Sequence, residues 1–270
     1  MLQAPPTPLE LKRIGIFTSM AELPELLHRM EEWARPHGIE VIPLEWQGGT
    51  STPVDLTIVF GGDGSVLSAL VNYPTPPVLA INYGTVGFLT AGDREELWEL
   101  LGQLLNGQYV ISERSMLECL HPQGTAYAVN EVVIKGATRM ITVELHINDH
   151  PIRKIRGDGV IVGTATGSTA YLLAAGSPIV MPELRCMIVS GLNEYDFRAR
   201  QLVVTSDSHI RLKIDPNTRE HDIYLSVDGK NKLALSTNEE VYIRESNRRA
   251  RLLFPESSYF FQNLFSRLSW

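Results

Sequence analysis

Cysteine is nearly absent from these 270 residues, and so is any excess of positive charge. Cys119 and Cys186 stand far apart in apolar runs, which argues against a disulfide framework or a cysteine-built metal site and fits a reducing cytoplasm. Lys and Arg number 24 against 31 Asp and Glu, a formal charge of −7. That balance argues against a generic binder of nucleic acid or membrane surfaces, which needs a basic face. No apolar run approaches the ~20 residues of a membrane span, and the start, MLQAPPTPLELK, lacks the pattern of an export signal. Two common nucleotide fingerprints are missing as well: no G-x-x-x-x-G-K-[ST], and no G-x-G-x-x-G opening a helix. What remains is a globular chain, expected in the cytoplasm and long enough for two domains.

The pattern changes along the chain. After a Pro-rich lead, expected to be mobile, strands read at Arg13 to Ser19, Ile39 to Leu44, Asp55 to Phe60 and Pro77 to Asn82. They alternate with helices at about 21–34, Ser65 to Val71 and Asp93 to Leu105, the last with Glu96 in capping-box spacing. This alternation predicts an α/β domain with a parallel sheet over residues 1–108. From about Tyr109 to residue 254 the runs are short and alternate, as in TVELHIN (142–148), SHIRLKID (208–215), DIYLSV (222–227) and VYIRE (241–245). They predict a mostly β, sandwich-like second domain, hinged near Gly107. The amphipathic, aromatic tail over 255–270 is expected to dock as a helix on the first domain.

The most informative stretch is FGGDGSVL, from Phe60 to Leu67. It puts a carboxylate inside a glycine-rich turn between a strand and a helix with a serine cap. Gly61, Gly62 and Gly64 let a ligand approach the main chain, and a helix start favours an anion. Asp63 opposes that preference unless it holds a metal or takes a proton, which hints at phosphoryl transfer; an Asp-Gly turn with no ligand is the bland alternative. Phe60 and Asn82 end strands at the edge where parallel sheets bind ligands.

In the second domain GTATGSTAY surrounds Gly163 and Gly167 with four hydroxyls, Thr164, Thr166, Ser168 and Thr169, before a short helix. Such a turn suits ribose, amide or phosphate oxygens, or it is a capped turn and no more. Asn130 and Glu131 form a polar pair in an otherwise apolar strand, either satisfied internally or facing a ligand. Asp158 and Asp228, each followed by Gly, read as turn residues, the latter in a hairpin. His146 and His150 lie four apart in what reads as one strand, too far apart to share a metal. The basic cluster Arg244, Arg248, Arg249 and Arg251 follows Ser246 and Asn247, read as a turn, and suits a solvated face.

Together these motifs resemble the NAD kinase family over nearly the whole chain: GGDG (61–64), INYGTVGFLT (81–90), ERSML (113–117), NEVVI (130–134), DGVIVGTATGSTAY (158–171) and the closing FFQNLFSRLSW. The resemblance implies a kinase making NADP from NAD at the 2′-hydroxyl of the adenosine ribose. It makes Asp63 the general base with the glycines of its turn beside the substrate, and Phe88 the adenine side. Asn130 and Glu131 would hold ribose hydroxyls, and Arg139, Arg156 and Asp158 would line the wall. Thr166 and the run Thr169, Ala170, Tyr171, Leu172, Leu173 and Ala174 would contact the second half of the dinucleotide. Cys186 and Lys230, where members carry Ala and Gln, count as binding positions. The donor would be ATP or polyphosphate, with Mg2+ or another divalent ion and no protein metal ligand assigned. The family builds its site between domains and partly between subunits, which implies a homodimer or homotetramer.

The chain departs from the family in lacking the proline of its Ser-Thr-Pro-Thr-Gly turn, and in carrying Glu194, Tyr195, Arg200 and Gln201 where members have Pro-His and Arg-Pro. These changes touch substrate preference and the subunit contact, not the base. GGDG alone is shared with lipid kinases, so a lipid kinase is one alternative, although the chain shows no apolar entrance or basic face. A non-catalytic NAD/NADP sensor is the other.

Overall fold

The computed structural model describes residues 9–18, 23–48, 52–84 and 87–268. The lead over 1–8, the start of the first expected helix, Thr85 and Val86, and the last two residues of the tail lie outside the described residues. The chain divides into two compact units, one formed by 1–113 with 250–270 and the other by 114–249. Both divisions fall inside strands rather than at Gly107. Gly107 instead takes the left-handed conformation (φ 72) that ends a helix, its N–H on the Leu104 carbonyl at 3.0 Å.

The first unit runs β1 (Arg13–Thr18), α1 (Leu23–Ala34), β2 (Glu40–Pro43), β3 (Leu56–Phe60), α2 (Asp63–Asn72), β4 (Val78–Asn82), β5 (Gly92–Asp93) and α3 (Leu97–Leu105). The strands pair in parallel in the order β2-β1-β3-β4. β3, LTIVF, is buried at all positions, as a β-branched run covered on both faces should be. Ile14, Ile16, Ile58, Phe60 and Ile81 pack with Met30 and Leu101 from the helices into its core. Because the chain goes from β1 out to β2 and then back past β1 to β3, the winding reverses between β1 and β3. Open α/β sheets bind ligands at the carboxyl edge of such a reversal. The turn after β3 carries GGDG.

The second unit contains β6 (Val110–His121, from Arg114 on), β7 (Gly124–Ala128), β8 (Glu131–Gly136), β9 (Ile141–Ile147), β10 (His150–Gly157), β11 (Gly159–Thr164), α4 (Tyr171–Ala174), β12 (Cys186–Leu192), β13 (Leu202–Thr205), β14 (Ile210–Ile214), β15 (Ile223–Val227), β16 (Lys230–Leu235) and β17 (Glu240–Phe254, up to Arg249). One antiparallel sheet has the order β13-β12-β11-β8-β15-β16, and β10-β9-β14-β17 with β6 and β7 form the other layer. Val132, Ile134, Val160 and Val162 of the first meet Val143, Leu145, Leu212 and Ile243 of the second in one core. This is the expected sandwich.

β17 enters the first unit at Ala250 and pairs in parallel with β4 through Leu252 and Val78. The tail helix α5 (Tyr259–Leu268) then docks on that unit. Tyr259 stacks on Phe254 at 3.5 Å between ring centroids, and its hydroxyl lies 2.9 Å from Ser112 Oγ.

Four local expectations change. α2 starts at Asp63 rather than Ser65, because Gly62, extended at φ −94 and ψ −173, takes the cap position without a side chain. The capping box at Asp93 and Glu96 makes its reciprocal hydrogen bonds, at 2.9 and 3.2 Å, but regular helix begins only at Leu97. His146 and His150 are on two arms of a hairpin whose turn, Asn148 and Asp149, has positive φ. His146 pairs with Pro151 and His150 with Ile147, so the two rings take opposite faces. They are still not a metal pair, for a different reason. Finally, β17 runs on through Ser246 and Asn247, since Ile243, Ala250 and Leu252 keep it anchored in buried positions.

Candidate active site

In the first unit a candidate site is built at the end of β3. Gly61 has φ 153, a conformation L side chains rarely adopt, and a Cβ there would overlap the Ser65 hydroxyl. The chain can then turn directly into α2 with Asp63 in the first helical position, where the helix dipole favours a carboxylate. The anion at this helix start is therefore Asp63 itself, which removes the conflict seen in the sequence. Its oxygens are held from outside the helix: Phe88 N–H donates to Oδ2 and Leu89 N–H to Oδ1, each at 3.0 Å. Such bonds to an ionised acceptor are about twice as strong as neutral ones. Asp63 keeps partial exposure. The Asn263 amide of α5 donates to the Phe88 carbonyl at 3.3 Å.

In the second unit a separate polar cluster gathers at one end of the sheet containing β8. Asp228 and Gly229 form the left-handed turn between β15 and β16 (φ 48 and 71), as expected of a hairpin. The carboxylate does more: it accepts N–H bonds from Val129, Asn130 and Glu131 at 2.8, 2.8 and 3.0 Å. Those bonds fix the polar pair at the start of β8. Asn130 and Glu131 are only 8% and 6% exposed, and Glu131 Oε2 is buried without a hydrogen-bond partner among the described residues. An unsatisfied buried polar group costs about 1–3 kcal/mol, so this Glu131 oxygen is a destabilising feature that the fold itself does not offset. Burial first, and the nearby Asp228 charge second, push the Glu131 carboxyl up to about 8; a Tyr171 N–H opposes them. Burial also raises Asp228 above its ordinary range, opposed in part by the three N–H donors and the Lys230 charge.

The hydroxyl-rich turn is packed onto this pair. A Cβ at Gly167 would overlap the Asn130 carbonyl, so only glycine fits there. Thr164 donates to Val129 O at 2.6 Å, and Ser168 to Ala165 O at 2.7 Å. Both are fully enclosed. Thr166 Oγ1 accepts from the buried Arg114 at 3.2 Å, and Thr169 donates to the Thr166 carbonyl at 3.2 Å. Most of the four hydroxyls thus stabilise the turn itself.

Comparison with known proteins follows the same two units. Residues 29–109 match the ATP-NAD kinase N-terminal domain and residues 129–254 the ATP-NAD kinase C-terminal domain. The NAD kinase of Syntrophotalea carbinolica is 34% identical, covering 96% of this chain and 99% of its own. The chain belongs to the ATP-NAD kinase family. The NAD kinase of Teredinibacter turnerae is 33% identical, covering 98% of this chain and 92% of its own. Among solved structures, an NAD kinase from Archaeoglobus fulgidus in complex with ATP has a TM-score of 0.79 at 26% identity, covering 95% of this chain and 98% of its own. The crystal structure of yeast NADH kinase complexed with NADH has the same fold, with a TM-score of 0.86 at 21% identity, covering 96% of this chain and 88% of its own.

The residues singled out in the sequence of this family member fall into three groups. Gly61, Gly62, Asp63, Gly64 and Phe88 are together in the first unit. Asn130, Glu131, Thr166, Thr169, Ala170 and Tyr171 are together in the second, with Lys230 beside Asp228. Leu173 is half-buried and Ala174 exposed on α4, while Cys186, buried, starts β12 next to the residue paired with Thr164. Leu172 is a correction, because its side chain is fully buried with Val133, Ile161 and Ile188 and cannot touch a ligand. Arg139, Arg156 and Asp158 form the third group. They lie at the opposite ends of β8 and β11, where the Gly136 N–H meets the Asp158 carbonyl at 3.0 Å, ~17 Å along the strands from Glu131. Arg139 and Arg156 are exposed, and Arg156 lies over the Tyr195 ring.

The sequence reading missed Arg114 and the inward role of Asp228, and gave no role to Gly87, Leu89, Thr90 or Asn263. Arg114, Gly87, Leu89, Thr90 and Asn263 all lie inside quoted motifs, so the signal was present for them. The basic cluster is occupied as a surface would be: Arg244 pairs with Glu118, Arg249 with Glu245, and Arg248 lies over the Tyr127 ring.

Proposed function

We propose that this chain transfers the γ-phosphoryl group of ATP to the 2′-hydroxyl of the adenosine ribose of NAD, giving NADP and ADP. Relatives that are NAD kinases, one of them solved with ATP, support the substrate pair. The partly exposed Asp63 carboxylate, held on both oxygens beside the reversal of the sheet, carries the mechanism. Asp63 takes the hydroxyl proton as the ribose oxygen bonds to the γ-phosphorus. The bond from that phosphorus to the bridging oxygen breaks, and ADP leaves with the electron pair. The rest of the work is orientation and charge stabilisation.

Asn130 and Glu131 hold ribose hydroxyls, which would supply the partner that the buried Glu131 Oε2 lacks among the described residues. The Thr166–Tyr171 turn and Lys230 contact the dinucleotide. Among the described residues no group of three or more His, Cys, Asp or Glu side chains could hold a metal. A divalent ion such as Mg2+, brought with ATP, would offset the phosphate charge and would need few protein carboxylates. Arg156 and Asp158 serve a neighbouring subunit in a homodimer or homotetramer, a reading that gives exposed residues far from Glu131 a role in the site. The acidic, cysteine-poor chain fits the cytoplasm, and among the described residues no helix is long and apolar enough to cross a membrane.

Incubation with NAD, ATP and Mg2+ followed by assay for NADP tests the reading. Product formation supports it; binding of NAD without product points to a sensor, and phosphorylation of a lipid hydroxyl instead of NAD to a lipid kinase. Replacing ATP by polyphosphate, or NAD by NADH, fixes donor and acceptor preference.

A further inference from the structure

The Asp63 carboxylate owes its position to a segment more than twenty residues further on. Phe88 and Leu89 are consecutive, and each gives its N–H to a different oxygen of the same carboxylate. One donor on each oxygen resists rotation of the carboxylate plane, and it leaves the remaining lone pairs able to accept a proton. Two successive N–H groups converge in this way only when the backbone is bent into a concave turn.

Thr90 closes that turn. Its hydroxyl accepts the Gly87 N–H at 3.1 Å and donates to the Gly87 carbonyl at 3.3 Å. Thr90 is 2% exposed, so water hardly competes for these bonds. Gly87 is the other requirement, because a Cβ there would overlap the Asp63 carboxyl group, both oxygens included. The Asn263 amide on the Phe88 carbonyl supports the turn from outside. Among the described residues, the hydrogen bonds to the Asp63 carboxylate come from Phe88 and Leu89 and not from α2 itself.

We infer that Gly87 and Thr90 are positioning residues for the phosphoryl transfer, acting through the Phe88 and Leu89 N–H groups to aim the Asp63 carboxylate. The inference rests on the reading of Asp63 as the base. A structural alternative uses the same bonds, with Asp63 anchoring the loop and the loop doing nothing for Asp63. The two differ in what happens when the carboxylate is absent. If the turn acts through Asp63, its disruption has little left to remove in Asp63→Asn protein; if it acts independently, the losses multiply.

The test uses full-length Gly87→Ala, Thr90→Val and Thr90→Ser, alone and combined with Asp63→Asn, measuring kcat, KM for NAD and for MgATP, and thermal midpoint. Gly87→Ala is expected to lower kcat by about 10²-fold, the scale of a misplacement near 1 Å, with KM for NAD within about threefold. Thr90→Val is expected to lower kcat by about tenfold, and Thr90→Ser, which keeps the hydroxyl, to recover most of it. In Asp63→Asn protein, Gly87→Ala should change kcat by less than about threefold. Multiplying losses, or Gly87→Ala with near-parental kcat while Asp63→Asn is crippled, overturns the inference alone. Should Gly87→Ala fail to fold, the Thr90 pair decides, and equal rates in Thr90→Val and Thr90→Ser overturn it. If Asp63→Asn keeps parental turnover, the base reading falls and the inference with it.

Discussion

Asp63 and Asp228 begin from the same two letters, Asp followed by Gly, and end in different occupations. At 228–229 the dipeptide is the tight turn of a hairpin, and its carboxylate points inward to three N–H groups nearly a hundred residues earlier in the chain. At 63–64 it opens a helix, and its carboxylate meets two N–H groups, one on each oxygen, while keeping contact with solvent. The third such dipeptide, at 158–159, leads into β11 and gives its carboxylate to the Asn193 amide at 2.7 Å. The dipeptide disposes the backbone to turn; donors from distant segments decide whether the carboxylate is saturated, poised or peripheral.

Substitutions at these positions test that contrast, the greatest effect first. Asp63→Asn should cut turnover roughly 10²–10⁴-fold, the usual worth of a positioned proton acceptor, while urea unfolding stays close to parental. Parental turnover at saturating substrates would end the distinction. Asp228→Asn should do the reverse, costing about 2–4 kcal/mol in urea unfolding because an amide NH2 must face backbone donors. Turnover per folded molecule should fall much less than for Asp63→Asn; a stability change under ~0.5 kcal/mol would show that the three contacts contribute little.

Glu131 sharpens the comparison through pH. Its carboxyl is raised from 4.5 to about 8 in the folded chain, so between those values the folded state holds a proton that the unfolded state releases. Its contribution to stability is fully present below pH 4.5 and is lost as pH rises through 8. Glu131→Gln should flatten the stability profile over that window and make the protein more stable than the parent at pH 9. Asp228, displaced in the same direction, leaves a residual slope. An unchanged profile would mean that Glu131 is ionised throughout. Asp158→Asn should have the smallest effect on the fold, under ~1 kcal/mol for one exposed hydrogen bond. If Asp158 serves a neighbouring subunit, activity drops beyond that change; equal activity at matched folded concentration removes it from the site.

Much of this was legible because the signals were local. LTIVF between turn residues reads as a buried parallel strand, and the alternation in TVELHIN and DIYLSV reads as a sandwich layer; both are found. GGDG marked the passage from strand to helix, although Asp63 opens the helix rather than sitting inside the turn. What was misread involved a local cue overruled by backbone shape or by distant partners. Ser65 resembles a cap, but Gly62 does the capping. Asn148 and Asp149 look like the end of a strand, yet their positive φ folds two strands back on each other. Counting hydroxyls in GTATGST overestimated the ligand surface, because Thr164 and Ser168 are spent inside the turn. Nothing near Asp228 in sequence announces residues 129–131, so its inward role could be seen only once β8 and β15 were paired.

The entry of β17 into the first unit has a consequence for biosynthesis. A ribosome releases residues 1–113 long before Ala250–Phe254 exists, so the parallel sheet waits without the strand that pairs with β4 at Val78 until the whole sandwich has been made. Leu252, Leu253 and Phe254, all buried in the finished protein, are then among the last apolar groups to arrive. An open strand edge on a nascent chain invites pairing with the wrong neighbour. The isolated fragment 1–113 should therefore aggregate, and a supplied peptide spanning 250–270 should suppress that aggregation. The order of translation would thus make the sandwich the first unit able to finish folding, and the half that carries Asp63 the last.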